Sequence, residues 1–436
     1  MKISTKVVTS LVTPLLLLGS NVALSASAPT GFILMRAYVP AGDNPKNVSL
    51  PSLTFEYGNG TSKVVKPCLA PVGVLSEIAN YFTTNEPKCA WFLAIGGERI
   101  LDPNFAFPDS VSTYWVTQFV PMEDNDQTSE KHLKRIVIKG EYPKVRYFSF
   151  NTYVADGSKP LQEIDFKSSL PDYSINPDSG FVNPWQGERP RFSPLIYKPT
   201  YTVNVVRSSD YNPTTSSLVM PPAQYSNFRD MIGNMPQFNC ATAEPGSGEE
   251  TLCKNEGFAR PRDTLLSSVF PNHDSAYLIN IIKPDINTVW VINGKLPRTV
   301  KGDSAVIWPD YTKYDVRYFS ICNQLMVKPY PLVDRDKGCV RDEELTLRDG
   351  RYTVVVGDVI PKIGHNQLPV SNLALNQYNG VLVRNMVADP QFGYSTLKVK
   401  ADNEPSSASS TMGAYYPQIK KCTKVSYLLK GADCKY

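Results

Sequence analysis

Apolar and polar residues alternate in short runs along much of this chain, with a period of two. From Val145 to Asn151 the alternation places Val145, Tyr147, Ser149 and Asn151 on one face and Arg146, Phe148 and Phe150 on the other. The run that starts at Val316 does the same, with Arg317 beside Phe319 and Ile321. Such runs predict β-strands, and the Gly-x-x-Pro steps at Gly140 to Pro143 and Gly294 to Pro297 predict turns between them. Helical spacing is rare. Val74, Ile78 and Phe82 share one side of a short helix predicted over 72–82, and 224–232 is a weaker second. From about Val359 to Tyr436 periodicity is sparse and Pro, Asn and Ser are frequent, so this stretch is expected to wrap over the strands before it.

The alternating runs occur twice, in the same order. Phe107-Pro108-Asp109-Ser110-Val111-Ser112-Thr113-Tyr114 matches Phe270-Pro271-Asn272-His273-Asp274-Ser275-Ala276-Tyr277 at Phe, Pro, Ser and Tyr. Ile136 to Pro143 matches Trp290 to Pro297, after a charged insertion around Met122 to Lys134 in the first copy. Val145-Arg146-Tyr147-Phe148-Ser149 is identical to Val316-Arg317-Tyr318-Phe319-Ser320, and Tyr201-Thr202-Val203 matches Tyr352-Thr353-Val354. Duplication is the economical explanation, because a self-similar series marks repeated folding units. The expected fold is mainly β: two related antiparallel β-sandwich or jelly-roll units with few short helices. Residues 29–210 would hold an N-terminal extension and the first unit, and 211–436 the second unit with its wrapping segment. The linker is placed within Arg207 to Pro222, where Ser, Thr, Asn and Pro crowd together.

The N-terminus sets the compartment. Lys2 and Lys6 precede an apolar stretch from Val7 to Leu18, and small residues follow through Ala28, which is the layout of a signal peptide over about residues 1–28. The apolar part is too short to span a bilayer, and no later segment is apolar enough, so no membrane span is expected. A secreted or periplasmic protein follows. In such a compartment the eight cysteines pair, and proximity couples Cys68 with Cys89, Cys240 with Cys253, Cys322 with Cys339 and Cys422 with Cys434. No Cys-x-x-Cys or Cys/His cluster occurs, so neither a structural metal nor a cofactor is expected.

Composition narrows the class further. The 36 Pro and 24 Tyr suit strands joined by stiff turns. Net charge is only +4, with Lys and Arg read as scattered, so nucleic acid or an acidic membrane surface is not implied.

The runs Val145 to Tyr153, Thr200 to Val206, Asp274 to Leu278, Val316 to Asn323, Asp349 to Val356, Leu382 to Met386 and Met412 to Cys422 carry a resemblance. They resemble a set of uncharacterised secreted bacterial proteins marked by an Arg-Tyr-aromatic-Ser strand. More remotely they resemble bacterial jelly-roll domains of unknown function with an Arg-Tyr-Trp-Ser strand, where this chain has Phe148 and Phe319. The resemblance implies export and a β fold and brings no activity with it. The stretch before about Phe105 lies outside it.

Candidate chemistry is thin. An Arg on an apolar face must find an acid, carbonyls or water, because an unpaired buried charge is costly. Arg146 and Arg317 are therefore either tied to acids or carbonyls at strand ends or are anion-binding groups at a sandwich mouth, with Tyr147 and Tyr318 beside them as ligand-binding candidates. His132, His273 and His365 are isolated. Gly246-Ser247-Gly248 reads as a flexible loop tip rather than a nucleophile turn. Asp102, Asp109, Asp274, Asp310 and Asp315 lie near strand ends, where ordinary turn residues also lie. The expectation is a non-catalytic exported protein that binds a surface polymer, such as a glycan, or another envelope component. A secreted hydrolase or lyase acting on polysaccharide or ester bonds is the alternative.

Overall fold

A computed structural model describes residues 31–40, 48–67, 90–95, 101–103, 109, 112–119, 133–156, 159–163, 166–185, 198–220, 240–262, 272–300, 314–326, 332–334, 338–370 and 375–436. Residues 1–28, read from sequence as a signal peptide, Cys68 and Cys89, His132, Asp310, and both helices predicted at 72–82 and 224–232 lie outside them. Strands dominate, arranged in two pairs of sheets. In the first pair, a front sheet runs Ser169–Pro171, Tyr147–Asp156, Gly31–Tyr38, Ser112–Phe119, Phe92–Ile95, and a back sheet runs Ser217–Val219, Thr200–Val206, Leu133–Glu141, Ser52–Tyr57, Ser62–Val65. In the second pair, the front sheet runs Ser275–Ile282, Asn379–Ala388, Val316–Leu325, Leu332–Asp334, Leu101–Pro103, with Cys339–Arg341 also on Val316–Leu325. Its back sheet runs Leu347–Arg348, Arg351–Val356, Thr288–Lys295, Gln418–Thr423, with Asn366–Leu368 beside Arg351–Val356.

Each pair closes on its own apolar core. Ile33, Met35, Phe148 and Phe150 from the first front sheet pack with Leu53, Ile136, Ile138 and Val203 from the back sheet. Phe319, Ile321, Val381 and Val383 pack likewise with Trp290, Ile292, Val354 and Val356. The alternation in sequence is thus the alternation of core-facing side chains.

The two sandwiches share strand positions but not strand order. Gly31–Tyr38 lies between Tyr147–Asp156 and Ser112–Phe119, whereas its counterpart Asn379–Ala388 lies between Val316–Leu325 and Ser275–Ile282. Ser52–Tyr57 pairs with Leu133–Glu141 as Gln418–Thr423 pairs with Thr288–Lys295. Two strands that come first in one sandwich come last in the other, a circular permutation. The short parallel partners correspond as well, Ser217–Val219 on Val206 and Asn366–Leu368 on Val356.

This order corrects three expectations. The stretch before Phe105 is no mere extension, since it supplies the central strand of the first front sheet. The stretch after Val359 supplies the matching strand of the second and does not only wrap. The linker region holds the strand Ser217–Val219, so the first back sheet extends beyond residue 210. Leu101–Pro103 also pairs with Leu332–Asp334 of the second front sheet, which crosses the boundary drawn from sequence.

Gly140 and Gly294 lie inside strands, not in the turns that their Gly-x-x-Pro steps suggested. Each is opposite a tyrosine, Tyr201 and Tyr352. A Cβ at Gly140 would stand 2.8 Å from the Tyr201 Oη, and one at Gly294 would run into the Tyr352 ring. Glycine is required there by the close approach of the ring.

Candidate functional site

All four residues singled out from sequence meet at the junction of the two sandwiches. Arg146 enters its strand with its N–H bonded to the Tyr38 carbonyl, and its guanidinium crosses to the second sandwich. There Nη1 and Nη2 donate to Asp342 Oδ1 and Oδ2 at 2.8 and 2.7 Å, and Nη2 also reaches the carbonyls of Val300 and Arg317. Arg317 crosses in the opposite direction: its Nη1 donates to both oxygens of Asp172 at 2.6 and 2.7 Å. Asp172 and Asp342 each directly follow the short strand that flanks the Arg-Tyr-Phe-Ser strand of their own sandwich. The exchange is therefore reciprocal.

The tyrosines repeat the exchange. Tyr147 Oη donates to Asp274 Oδ2 at 2.6 Å, and Tyr318 Oη donates to Asp109 Oδ2 at 2.5 Å. Tyr173 Oη adds a 2.6 Å bond to the other oxygen of Asp274. Tyr38 sits between the two, edge-on to Tyr318 at 5.1 Å and to Tyr147 at 6.0 Å, and accepts from Arg384 Nη1 at 2.8 Å. The Arg146 guanidinium lies 4.9 Å from the centre of the Tyr318 ring, a further cation–π contact.

Electrostatics follow from burial. Arg146 and Arg317 are only 2% and 1% exposed, so each charge needs its acid. Burial pushes Asp172 up to about 6, against the opposing pull of Arg317 and the Phe148 N–H, which leaves it ionised at neutral pH. Burial also raises Tyr147 and Tyr318 well above the ordinary phenol range, and the adjacent carboxylates Asp274 and Asp109 raise them further, so both stay hydroxyl donors. The Arg146 Nη1 and Nη2, the Arg317 Nη1 and both tyrosine hydroxyls have partners inside the protein. The junction can fix how one sandwich sits on the other.

Sequence reasoning reached Asp109 and Asp274 but missed Asp172 and Asp342. Their signal was an Asp at nearly the same distance downstream of each Arg-Tyr-Phe-Ser strand. The remaining candidates disperse. Ser247 caps the helix Gly248–Lys254 through the Glu250 N–H, so Gly246-Ser247-Gly248 begins a helix rather than forming a flexible tip. His365 Nδ1 is 2.9 Å from Tyr427 Oη. Asp109, Cys322 and Cys339 come within reach of one another, but the two cysteines are joined and offer no thiolate. Cys240–Cys253 and Cys422–Cys434 are also bridged, as spacing suggested.

An open site lies elsewhere, at the Gln418–Thr423 edge of the second back sheet. A cavity of about 380 Å³ is lined by Glu256, Gly257, Asn293, Tyr416, Gln418, Ile419 and Lys420. Asn293 and Gln418 are direct cross-strand partners, which sets two amides side by side. Thr353 Oγ1 donates to Asn293 Oδ1 at 2.8 Å and fixes that amide. Tyr416 donates to the Phe258 carbonyl at 3.0 Å, and its hydroxyl would stand 2.7 Å from a Cβ at Gly257. Glycine at 257 thus lets the tyrosine close one wall. The lining comes from separate stretches of chain, so no motif could reveal it.

No family model matches this chain, and no curated protein does. Among solved structures it is similar to an uncharacterised protein from Burkholderia cenocepacia, at 8% identity and a TM-score of 0.37 over 74% of this chain and 81% of that one. It is also similar to the VPA0106 protein from Vibrio parahaemolyticus, at 12% identity and a TM-score of 0.23 over 91% and 89%.

Proposed function

We propose that this is an exported, non-catalytic binding protein whose ligand is a saccharide of the cell surface or envelope, held in the cavity between Glu256 and Lys420. The observation that carries the reading is the chemistry of that cavity. Paired amides, one carboxylate and one ammonium can donate to and accept from a ring of hydroxyls, and Tyr416 offers an aromatic wall. Its volume suits a small ligand or a short segment of a polymer. Hydrolysis of a glycosidic bond ordinarily uses two carboxyl groups flanking that bond, and Glu256 is the single carboxylate of this lining. The three disulfides among the described residues fit the oxidising compartment that the N-terminal sequence implies.

A glycan array of bacterial surface saccharides, followed by calorimetric titration of the hits, tests the reading. Binding is expected for the native protein and lost in Asn293→Ala and Gln418→Ala, with melting temperature retained. Binding that survives both substitutions, or turnover of the saccharide, would overturn it.

A further inference from the structure

The C-terminal helix Lys424–Lys430 presents its apolar side outward. Val425, Leu428 and Leu429 lie at i, i+3 and i+4, on one face, and are 67%, 51% and 74% exposed, while Tyr427 points in and is buried. The neighbouring loop adds Ile360 and Ile363, exposed at 85% and 91%. Loop and helix are fastened together: the Lys362 N–H and His365 Nδ1 both meet Tyr427 Oη, and Lys362 Nζ donates to the Leu429 carbonyl. Arg348 Nη2 donates to the Ile363 carbonyl at 2.5 Å, and Cys422–Cys434 brackets the helix. These aliphatic side chains are therefore held out in fixed positions, and a contiguous exposed apolar patch marks an interaction surface.

Charge identifies the occupant. Residues 420–436 hold Lys420, Lys421, Lys424, Lys430 and Lys435 against Asp433 alone, and the loop adds Lys362, with Arg348 bonded to the loop from behind and Asp358 3.9 Å from Lys424. The whole-chain reading of scattered basic residues overlooked this local cluster. We infer that this ridge docks the protein peripherally on an anionic lipid surface, with Ile360, Ile363, Leu428 and Leu429 entering the headgroup region and Lys362 and Lys430 meeting lipid phosphates. Protruding aliphatics ringed by lysines are the composition of interfacial membrane segments. A second copy is a poorer fit, because a two-fold contact would bring the same lysines against each other. The inference does not rest on the saccharide reading: Lys420 alone among these charges also lines the cavity, and Ile360, Ile363, Leu429 and Lys430 lie outside that lining.

Cosedimentation of the full mature chain with vesicles tests it. Vesicles of phosphatidylcholine mixed with phosphatidylglycerol are expected to bind the protein, and pure phosphatidylcholine to bind it about tenfold more weakly or less. Ile363→Ser with Leu429→Ser should abolish binding at an unchanged melting temperature, and Lys430→Gln should weaken it. If that pair perturbs folding, Ile360→Ser serves as the second variant. Absence of binding to both vesicle types, equal binding to both, or binding that survives the serine substitutions would overturn the inference. So would a lipid-free dimer that the same substitutions dissolve, which would make the ridge a self-interface.

Discussion

Arg36 and Arg384 occupy the same position in their two sandwiches, although one lies near the start of the chain and the other near its end. Each is opposite a serine on one neighbouring strand and a tyrosine on the other, Ser149 and Tyr114 for Arg36, Ser320 and Tyr277 for Arg384. Each guanidinium also stacks on its tyrosine, at 5.0 and 4.7 Å from the ring centre. The shared register makes the permutation concrete. A chain lacking residues 31–57 should lose the first sandwich, because its central strand and that strand's back-sheet counterpart are gone. Limited proteolysis is expected to cut such a chain throughout 133–219, and resistance equal to the native protein would contradict the assignment.

The tyrosine over glycine offers a local test. Gly294→Ala should destabilise the protein by about 1–3 kcal/mol, because a methyl group would displace the Tyr352 ring. The Tyr352 hydroxyl is itself buried without a hydrogen-bond partner, as is that of Tyr201. Tyr352→Phe and Tyr201→Phe are therefore expected to be neutral or stabilising by about 1 kcal/mol in denaturant unfolding.

Much of this arrangement was legible in the sequence. Period-two alternation gave the strand faces at Val145 to Asn151, and proximity alone paired six of the cysteines seen here. The permutation was not legible, because a search in constant order aligns Arg146 with Arg317 but never Arg36 with Arg384. The use of Arg146 was also hidden. Alternation fixes which face a side chain leaves from, but a strand-end arginine can reach beyond its own sheet, and only the tertiary arrangement supplies Asp342. Net charge over the whole chain concealed the basic C-terminal stretch, where Lys420, Lys421, Lys424, Lys430 and Lys435 fall within residues 420–436 against Asp433 alone.

Asp172 gives a pH signature. Its carboxyl titrates near 6 when folded, above the value of about 3.9 for an unfolded Asp. The folded state therefore holds that proton more tightly, and the associated stability is full below about pH 4 and is lost as pH rises towards 6. A drop on the order of 2–3 kcal/mol is expected from this group across that window, flattening above it. The decline should be absent in Asp172→Asn. Equal slopes for the native protein and the variant between pH 4 and 6 would contradict it.

The bridge from Cys422 to Cys434 closes a short loop around the C-terminal helix. Replacing both cysteines with serine should cost about 2–4 kcal/mol, concentrated in that segment. Hydrogen exchange is the measurement, with faster exchange expected over 424–436 and little change in Val316–Leu325.

The reciprocal arginines are the centre of the architecture, and a double-mutant cycle on Arg146 and Asp342 probes them most directly. Arg146→Ala should cost roughly 3–5 kcal/mol, because it leaves Asp342 buried without its partner, and Asp342→Ala somewhat less, because Glu343 stands 3.5 Å from the Arg146 guanidinium. The double variant should cost much less than the two combined, a coupling on the order of 1–3 kcal/mol. Arg317→Ala should match Arg146→Ala, since Asp172 is abandoned in the same way. Single variants that melt like the native protein, with additive effects in the double variant, would contradict the clamp and return Arg146 to the pool of ligand-binding groups.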